Sequence, residues 1–330
     1  MEQMNDCEQK EPLKFIDFLE SEVEHQRMID HIGLATNYKC AGQSFRHFLL
    51  ARGVDDVPFE EITVDLICDY EAWLQAKGLC KNSTSFYTRG LQAVYNKAVR
   101  KDLAEDRRPF RRVYRGAAQT VKRAIEKRDI YRLSKLDIHQ ALLKQGYEEN
   151  SRRLICCQKS LEFARDLFIF CFCARGLTFV DLAYMRKSDV SKGMMTYVRK
   201  KTKQRIEVQV EPMMQEIIDR YPSKTVYLFP ILTETENSAK VYQQYRYGIT
   251  RYNSCLKQLG EMLGHLKLTS YVSRHSWATT AHRQRVPLPI ISQSMGHDSE
   301  RTTEIYLKSL EGGVIHRANR NLINQVFRSR

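Results

Sequence analysis

Apolar residues recur along positions 12–105 at intervals of three and four, the period of amphipathic helices. Between positions 60 and 77 the apolar set is Ile62, Leu66, Ile67, Tyr70 and Leu74, one face of a helix. Gly78 offers a stop after it, and Lys81-Asn82-Ser83-Thr84 supplies N-cap chemistry for a helix over 83–100. That helix carries Tyr87, Leu91, Val94 and Tyr95 on one side, with Arg89, Lys97 and Arg100 elsewhere. Positions 37–52 are amphipathic as well, and a small helical bundle follows from the pattern.

The second half reads differently. Positions 160–174 are apolar on nearly every side, which predicts a buried helix ended by Gly176. Ile206, Val208 and Val210 alternate with Glu207 and Gln209, the two-residue period of a half-buried strand. Strands over 194–199 and 205–210 make a hairpin around the turn 200–204. The remainder, to about 309, reads as helices. The expected fold is mainly α with a small antiparallel β-hairpin. It divides into an acidic tail (1–11), a helical domain (12–105), a basic linker (106–130), an α+β domain (131–311) and a tail helix (312–330). The alternative for 106–130 is a surface loop of one larger domain.

Charge sharpens this picture. The formal net charge is +14, and it is unevenly placed. Residues 1–30 hold nine acids and three bases, whereas 97–135 hold fourteen bases and five acids. A basic belt in mid-chain suits a clamp on a phosphate backbone, with nucleic acid the first choice of partner and a membrane surface the second. Candidate contacts are Lys81, Arg89, Arg107, Arg108, Arg111, Arg112, Arg115, Lys122, Arg123 and Arg128, with Lys200 and Lys203 on the hairpin. The bland alternative is a solvated basic surface.

Nine cysteines include no CxxC pair, so neither a metal-ligand set nor a disulfide framework is implied. The acidic start lacks the apolar core of a signal peptide, and the most apolar stretch, 167–174, is too short to span a bilayer. The expectation is a soluble, cytoplasmic, nucleoid-associated bacterial protein without metal or other cofactor.

The informative stretch is 269–308, TSYVSRHSWATTAHRQRVPLPIISQSMGHDSERTTEIYLK. An Arg-His pair opens one helix, a Met-Gly-His turn follows, and a Tyr lies nine residues beyond that His. This resembles the C-terminal box of the tyrosine recombinases, the phage integrase family, with three chemically distinct residues in register over 33 positions. The resemblance implies a helical core-binding domain followed by a catalytic domain. It places the second catalytic arginine at Arg274, the late histidine at His297 and the nucleophile at Tyr306. It also places the catalytic lysine at the hairpin tip, at Lys201, with Lys200 a rival one residue away.

Two positions depart from the family pattern. Thr178 stands where the family's first arginine is expected, three residues before Asp181. Thr178-x-x-Asp181 also reads as a capping box, and Arg175 is the candidate to project a guanidinium into the same site, with Arg186 and Arg205 in reserve. Tyr271 stands at the place of the first histidine, where its hydroxyl offers a weaker hydrogen bond.

The chemistry explains the residue types. A tyrosine hydroxyl with a pKa near ~10 is a poor nucleophile at neutral pH. Cations favour the phenolate and stabilise charge building on the phosphate oxygens. Arg274 and Arg175 suit that task through paired donors. His297 is expected to donate a further hydrogen bond, and Lys201 to protonate the leaving 5′ oxygen. The implied activity is site-specific integration, excision or inversion through a 3′-phosphotyrosyl intermediate. A tetramer would act on double-stranded DNA, with accessory DNA-bending proteins possible partners and the 312–327 stripe docking either in trans or on its own domain. A DNA-binding architectural protein of impaired catalysis is the alternative, and a relaxing topoisomerase a third.

Overall fold

The computed structural model describes residues 13–118, 123–297, 299–300 and 303–304, and the chain divides into two compact units, 1–120 and 121–330.

Four helices build the first unit: α1 (Phe15–Met28), α2 (Ile32–Leu50), α3 (Val64–Ala76) and α4 (Lys81–Arg100). Their apolar stripes meet in an aromatic core. Phe15 meets Phe45 and Phe59 edge-on at 5.7 and 5.5 Å, and Phe45 meets Tyr70 at 5.1 Å, the arrangement ring quadrupoles favour. Thr63 caps α3 by accepting the Leu66 amide at 3.2 Å. α4 begins earlier than its pattern suggests. Cys80 is the N-cap residue, and the Asn82 and Ser85 side chains are engaged elsewhere.

Their partner is the segment expected to be a free linker. Phe110 and Val113 are buried in the first unit's core. Beyond them the backbone lies along α4. Tyr114, Gly116 and Ala118 offer carbonyls to Thr88 (3.3 Å), Ser85 (2.8 Å) and Asn82 (3.0 Å), and the Ala118 amide returns 2.7 Å to Asn82. Asn82, Ser85 and Thr88 recur every three residues, so one helical face carries short polar groups that satisfy an extended strand's backbone. The linker expectation therefore gives way at its N-terminal half. At its C-terminal end, α5 (Lys127–Ser134) already belongs to the second unit.

In the second unit α7 (Arg152–Cys173) is the central element, capped by the Ser151 hydroxyl on the Leu154 amide at 3.1 Å. It starts eight residues before the apolar run that announced it. Leu161, Leu167, Phe168 and Phe170 are fully buried within it, and α5, α6 (Ile138–Lys144), α9 (Pro212–Arg220), α10 (Ser238–Met262) and α11 (Ser270–Arg283) pack around it. One acid, Asp166, is buried in α7, where Arg165 (2.8 Å), Arg220 (2.6 Å) and Tyr221 (2.8 Å) satisfy it and tie α9 to the core. The short α8 (Phe179–Ala183) precedes the sheet, and α12 (Leu288–Met295) follows α11. The expected hairpin is present as β2 (Met194–Val198) and β3 (Arg205–Gln209), antiparallel, with Met195 opposite Val208 and Tyr197 opposite Ile206. A two-residue strand, β1 (Val190–Ser191), adds to the β2 edge.

Candidate active site

Arg274 sits in the first turn of α11 and is 3% exposed. Its Nη1 donates to the Gly176 carbonyl at 2.7 Å, and its Nη2 to the Met295 carbonyl at 2.6 Å. The end of α7 explains the first contact. Arg175 and Gly176 both take left-handed backbone, with φ of 58° and 75°, and the Gly176 and Leu177 amides both bond the Cys171 carbonyl. This reversal carries Gly176 onto α11, where a Cβ would lie 2.9 Å from Arg274 Cα. Glycine is thus required here for both conformation and space.

His297 enters from the opposite side. Gly296 ends α12 in left-handed conformation, and the next residue turns its ring toward Arg274. Nε2 lies 3.1 Å from Arg274 Nη2, and Nδ1 lies 2.7 Å from Thr303 Oγ1. Thr303 is fully buried. A guanidinium has donors only, so Nε2 accepts and the ring proton resides on Nδ1. Burial, then the charges of Arg274, Arg199 and Lys201, push the His297 pKa down to about 3, so the ring is neutral at physiological pH. The expected role of His297 as a donor is therefore reversed in this arrangement, where it accepts.

The third contributor is Arg199, which the sequence reading passed over. It continues the inward face of β2 after Met195 and Tyr197, and is 5% exposed. Its Nη1 donates to the Gly296 carbonyl, and its Nε lies 3.8 Å from Asp181 Oδ2. Its Nη2 makes no hydrogen bond among the described residues. Thr202 Oγ1 also reaches the Gly296 carbonyl, at 3.1 Å, and Gln204 Nε2 the His297 carbonyl, at 3.1 Å. The hairpin tip thereby grips the turn that holds His297.

Thr178 precedes α8 at the N-cap, but its hydroxyl donates to Asp181 at 2.6 Å instead of accepting a backbone amide. The capping-box expectation is corrected accordingly. Asp181 also accepts the Lys200 amide at 2.8 Å, so it anchors the hairpin. At the tip, Lys200 directs its ammonium onto the Tyr184 ring, 3.1 Å from the centroid, while exposed Lys201 acts electrostatically on His297. Lys203 is exposed in the same turn.

Not every candidate joins the cluster. Arg175 is half-buried and makes no hydrogen bond or ion pair among the described residues, although its neighbour Gly176 touches Arg274. Tyr271 is 52% exposed and its ring lies beside His275, 6.0 Å away. Arg186 caps the turn at Asp189, and Arg205 pairs with Glu207 on the hairpin's outer face. Tyr306, Lys122 and the 312–330 tail lie outside the described residues. In the first unit Lys81, Arg89, Arg107, Arg108, Arg111, Arg112 and Arg115 are all exposed, as are Arg123 and Arg128 in the second. Arg107 and Arg108 face Glu105 and Asp106, whereas Arg111, Arg112 and Arg115 form no ion pair among the described residues. Among the described residues no group of three or more His, Cys, Asp or Glu side chains is placed to hold a metal ion, and no helix is long and apolar enough to cross a membrane.

Comparison with known proteins bears on the whole chain. A family model described as a phage integrase SAM-like domain matches residues 14–131, and one described as the phage integrase family matches 147–312. Tyrosine recombinase XerA of Pyrococcus furiosus is 28% identical over 184 residues, which are 54% of this chain and 61% of that protein, so less than two thirds of the relative is covered. A lambda integrase tetramer bound to a Holliday junction gives a TM-score of 0.55 at 15% identity, covering 90% of this chain and 78% of that one. The Tn1549 transposon integrase in complex with a circular intermediate DNA gives 0.58 at 12% identity, covering 89% and 95%. These likenesses establish the fold, a helical unit followed by a catalytic-type unit.

Proposed function

Because this chain belongs to the phage integrase family of tyrosine recombinases, we propose that it cuts and rejoins double-stranded DNA at a specific site, with Tyr306 as the nucleophile. One observation carries the reading. Arg274, His297 and Arg199, from three separate elements, converge on one turn, and Thr303 links that turn to the segment three residues before Tyr306.

In this reading Arg274 and Arg199 take the scissile phosphate. Arg199 supplies the guanidinium missing at Thr178, and Arg175 reaches the same phosphate from the rim. Two guanidinium groups favour charge on the equatorial oxygens of the transition state. Tyr306 Oη attacks phosphorus, the bond to the 5′ oxygen breaks, and Lys201 gives that oxygen its proton. The orientation of Lys200 toward Tyr184 favours Lys201 for this role. The 3′-phosphotyrosyl bond conserves the energy of the broken linkage, so religation by a second 5′ hydroxyl calls for neither ATP nor a metal. The exposed arginines 111, 112 and 115, beside the start of α4, contact DNA backbone. The lambda integrase tetramer on a junction suggests four protomers exchanging strands between two duplexes, with the 312–327 segment docking on a neighbour.

The test uses nicked duplexes made from the DNA flanking the gene. The full chain should form denaturation-resistant adducts, and Tyr306→Phe should abolish them with DNA affinity unchanged. Tight, specific binding by the full chain with no adduct on any nicked duplex would instead identify an architectural DNA-binding protein.

A further inference from the structure

We propose that Thr303 is a positioning residue that holds His297 as its neutral Nδ1–H tautomer, so that Nε2 meets the phosphate site as a proton acceptor. The inference rests on the recombinase reading of this site. Its geometric basis is the pair of contacts on one ring. Arginine has five N–H donors and no acceptor, so a ring nitrogen 3.1 Å from Arg274 Nη2 offers its lone pair. Neutral imidazole has a single N–H, which then belongs to Nδ1, and Thr303 Oγ1 at 2.7 Å accepts it. The charged groups facing the ring are Arg274 from α11 and Arg199 and Lys201 from the hairpin, all cationic. Asp181 meets Arg199 through Nε, and Glu304, beside Thr303, is exposed. Three cations and burial oppose a proton on Nε2 while the site holds no anion.

An entering phosphodiester changes that balance. Its anionic oxygens take up donors of Arg274 and Arg199, releasing Nε2 from Arg274 and favouring a charged ring. As the Tyr306 Oη–P bond forms, the phenolic proton passes to His297 Nε2. As the P–O5′ bond breaks, its electron pair stays on the 5′ oxygen, which takes the Lys201 proton. The imidazolium then donates from Nε2 to a phosphate oxygen, and religation returns both protons along the same routes. With Tyr271 at the position of the first histidine and exposed, His297 is the ring base that the described contacts place against Arg274. Thr303 acts on it as the orienting partner of a base, holding tautomer and ring angle.

The experiment uses the full chain labelled with ¹⁵N-histidine, with His297 identified by its loss in His297→Gln. Two-bond proton–nitrogen correlations at neutral pH should show His297 neutral and protonated on Nδ1. Thr303→Val, isosteric with threonine, should populate the Nε2–H form and slow single-turnover cleavage of a nicked substrate by about tenfold or more at unchanged DNA affinity, whereas Thr303→Ser should retain the tautomer and cleave within about threefold of wild type. A wild-type ring protonated on Nε2, or a Thr303→Val protein that keeps both the Nδ1–H tautomer and full cleavage, overturns the inference. A chain with the expected tautomer that never cleaves DNA overturns the recombinase reading and the proton route, and leaves only the positioning by Thr303. The two failures are thus distinguishable.

Discussion

Replacing Arg199 by alanine should damage both folding and cleavage, by amounts that follow from its contacts. The guanidinium is 6% exposed and faces Asp181, whose side chain is 2% exposed. Its removal leaves the Gly296 carbonyl with only the Thr202 hydroxyl, and leaves the Asp181 charge with the Thr178 hydroxyl and the Lys200 amide. A broken buried ion pair costs about 3–5 kcal/mol. At a separation of 3.8 Å, and with two hydrogen bonds still on Asp181, the low side applies, about 2–3 kcal/mol. On cleavage, loss of one preorganised donor to a developing oxyanion costs roughly a hundredfold to a thousandfold. Denaturant unfolding reads the first quantity. Single-turnover cleavage of a nicked duplex at saturating protein, under conditions where the variant stays folded, reads the second. A third readout separates electrostatics from mere structure: the His297 pKa should rise from about 3, because Arg199 is one of the charges that depress it. Arg199→Lys should recover part of the stability and little of the cleavage, since one ammonium does not reproduce a forked donor. Cleavage by folded Arg199→Ala within about threefold of wild type, or an equal loss in Arg175→Ala, would refute the assignment of Arg199 as the second guanidinium.

Other perturbations probe the supports around this cluster. Gly176→Ala imposes a side chain on a backbone with φ of 75° and pushes a Cβ to 2.9 Å from Arg274 Cα. It should cost about 1–3 kcal/mol in denaturant unfolding and slow cleavage at least about tenfold, and an unchanged rate would show that Arg274 does not depend on this contact. Lys201→Ala should slow cleavage of ordinary DNA by about a hundredfold or more. It should recover on a substrate whose 5′ bridging oxygen is sulfur, a leaving group that needs no proton, whereas Lys200→Ala should show no such recovery. In the first unit, burial acts to raise the Glu22 carboxyl, but Lys101 and Lys97, at 2.6 and 2.7 Å, hold it below the ordinary carboxylate range. Its stabilisation is therefore present above that range and lost as pH falls through the depressed value. The denaturant midpoint of wild type should fall more steeply than that of Glu22→Gln between about pH 5 and pH 3, and parallel curves would contradict this.

Much of this architecture is legible in the sequence because it rests on local periodicity. The apolar run of α7, the alternation of Ile206 and Val208 and the stripe of α4 are buried as their spacing implies. Arg199 was legible too, since it stands in phase with Met195 and Tyr197, but a basic residue at a strand end before two lysines reads naturally as part of the exposed tip. Phe110 and Val113 were masked in the same way, as apolar anchors inside a run of arginines. Tertiary approach leaves no local trace. Nothing near Gly176 announces that Arg274, almost a hundred residues later, will press on its Cα hydrogens, and no local pattern fixes which nitrogen of His297 carries the proton. Thr178 shows the converse. Its spacing to Asp181 suggested helix capping, and the buried carboxylate drew the hydroxyl proton instead.

The central claim is that Tyr306 becomes covalently joined to a DNA 3′ phosphate. Mass spectrometry of an adduct trapped on a nicked duplex, after nuclease and protease digestion, tests it most directly. The account predicts a nucleotide attached through its 3′ phosphate to the peptide containing Tyr306, and no adduct from Tyr306→Phe. Attachment to any other residue, or an adduct that persists in Tyr306→Phe, would contradict it.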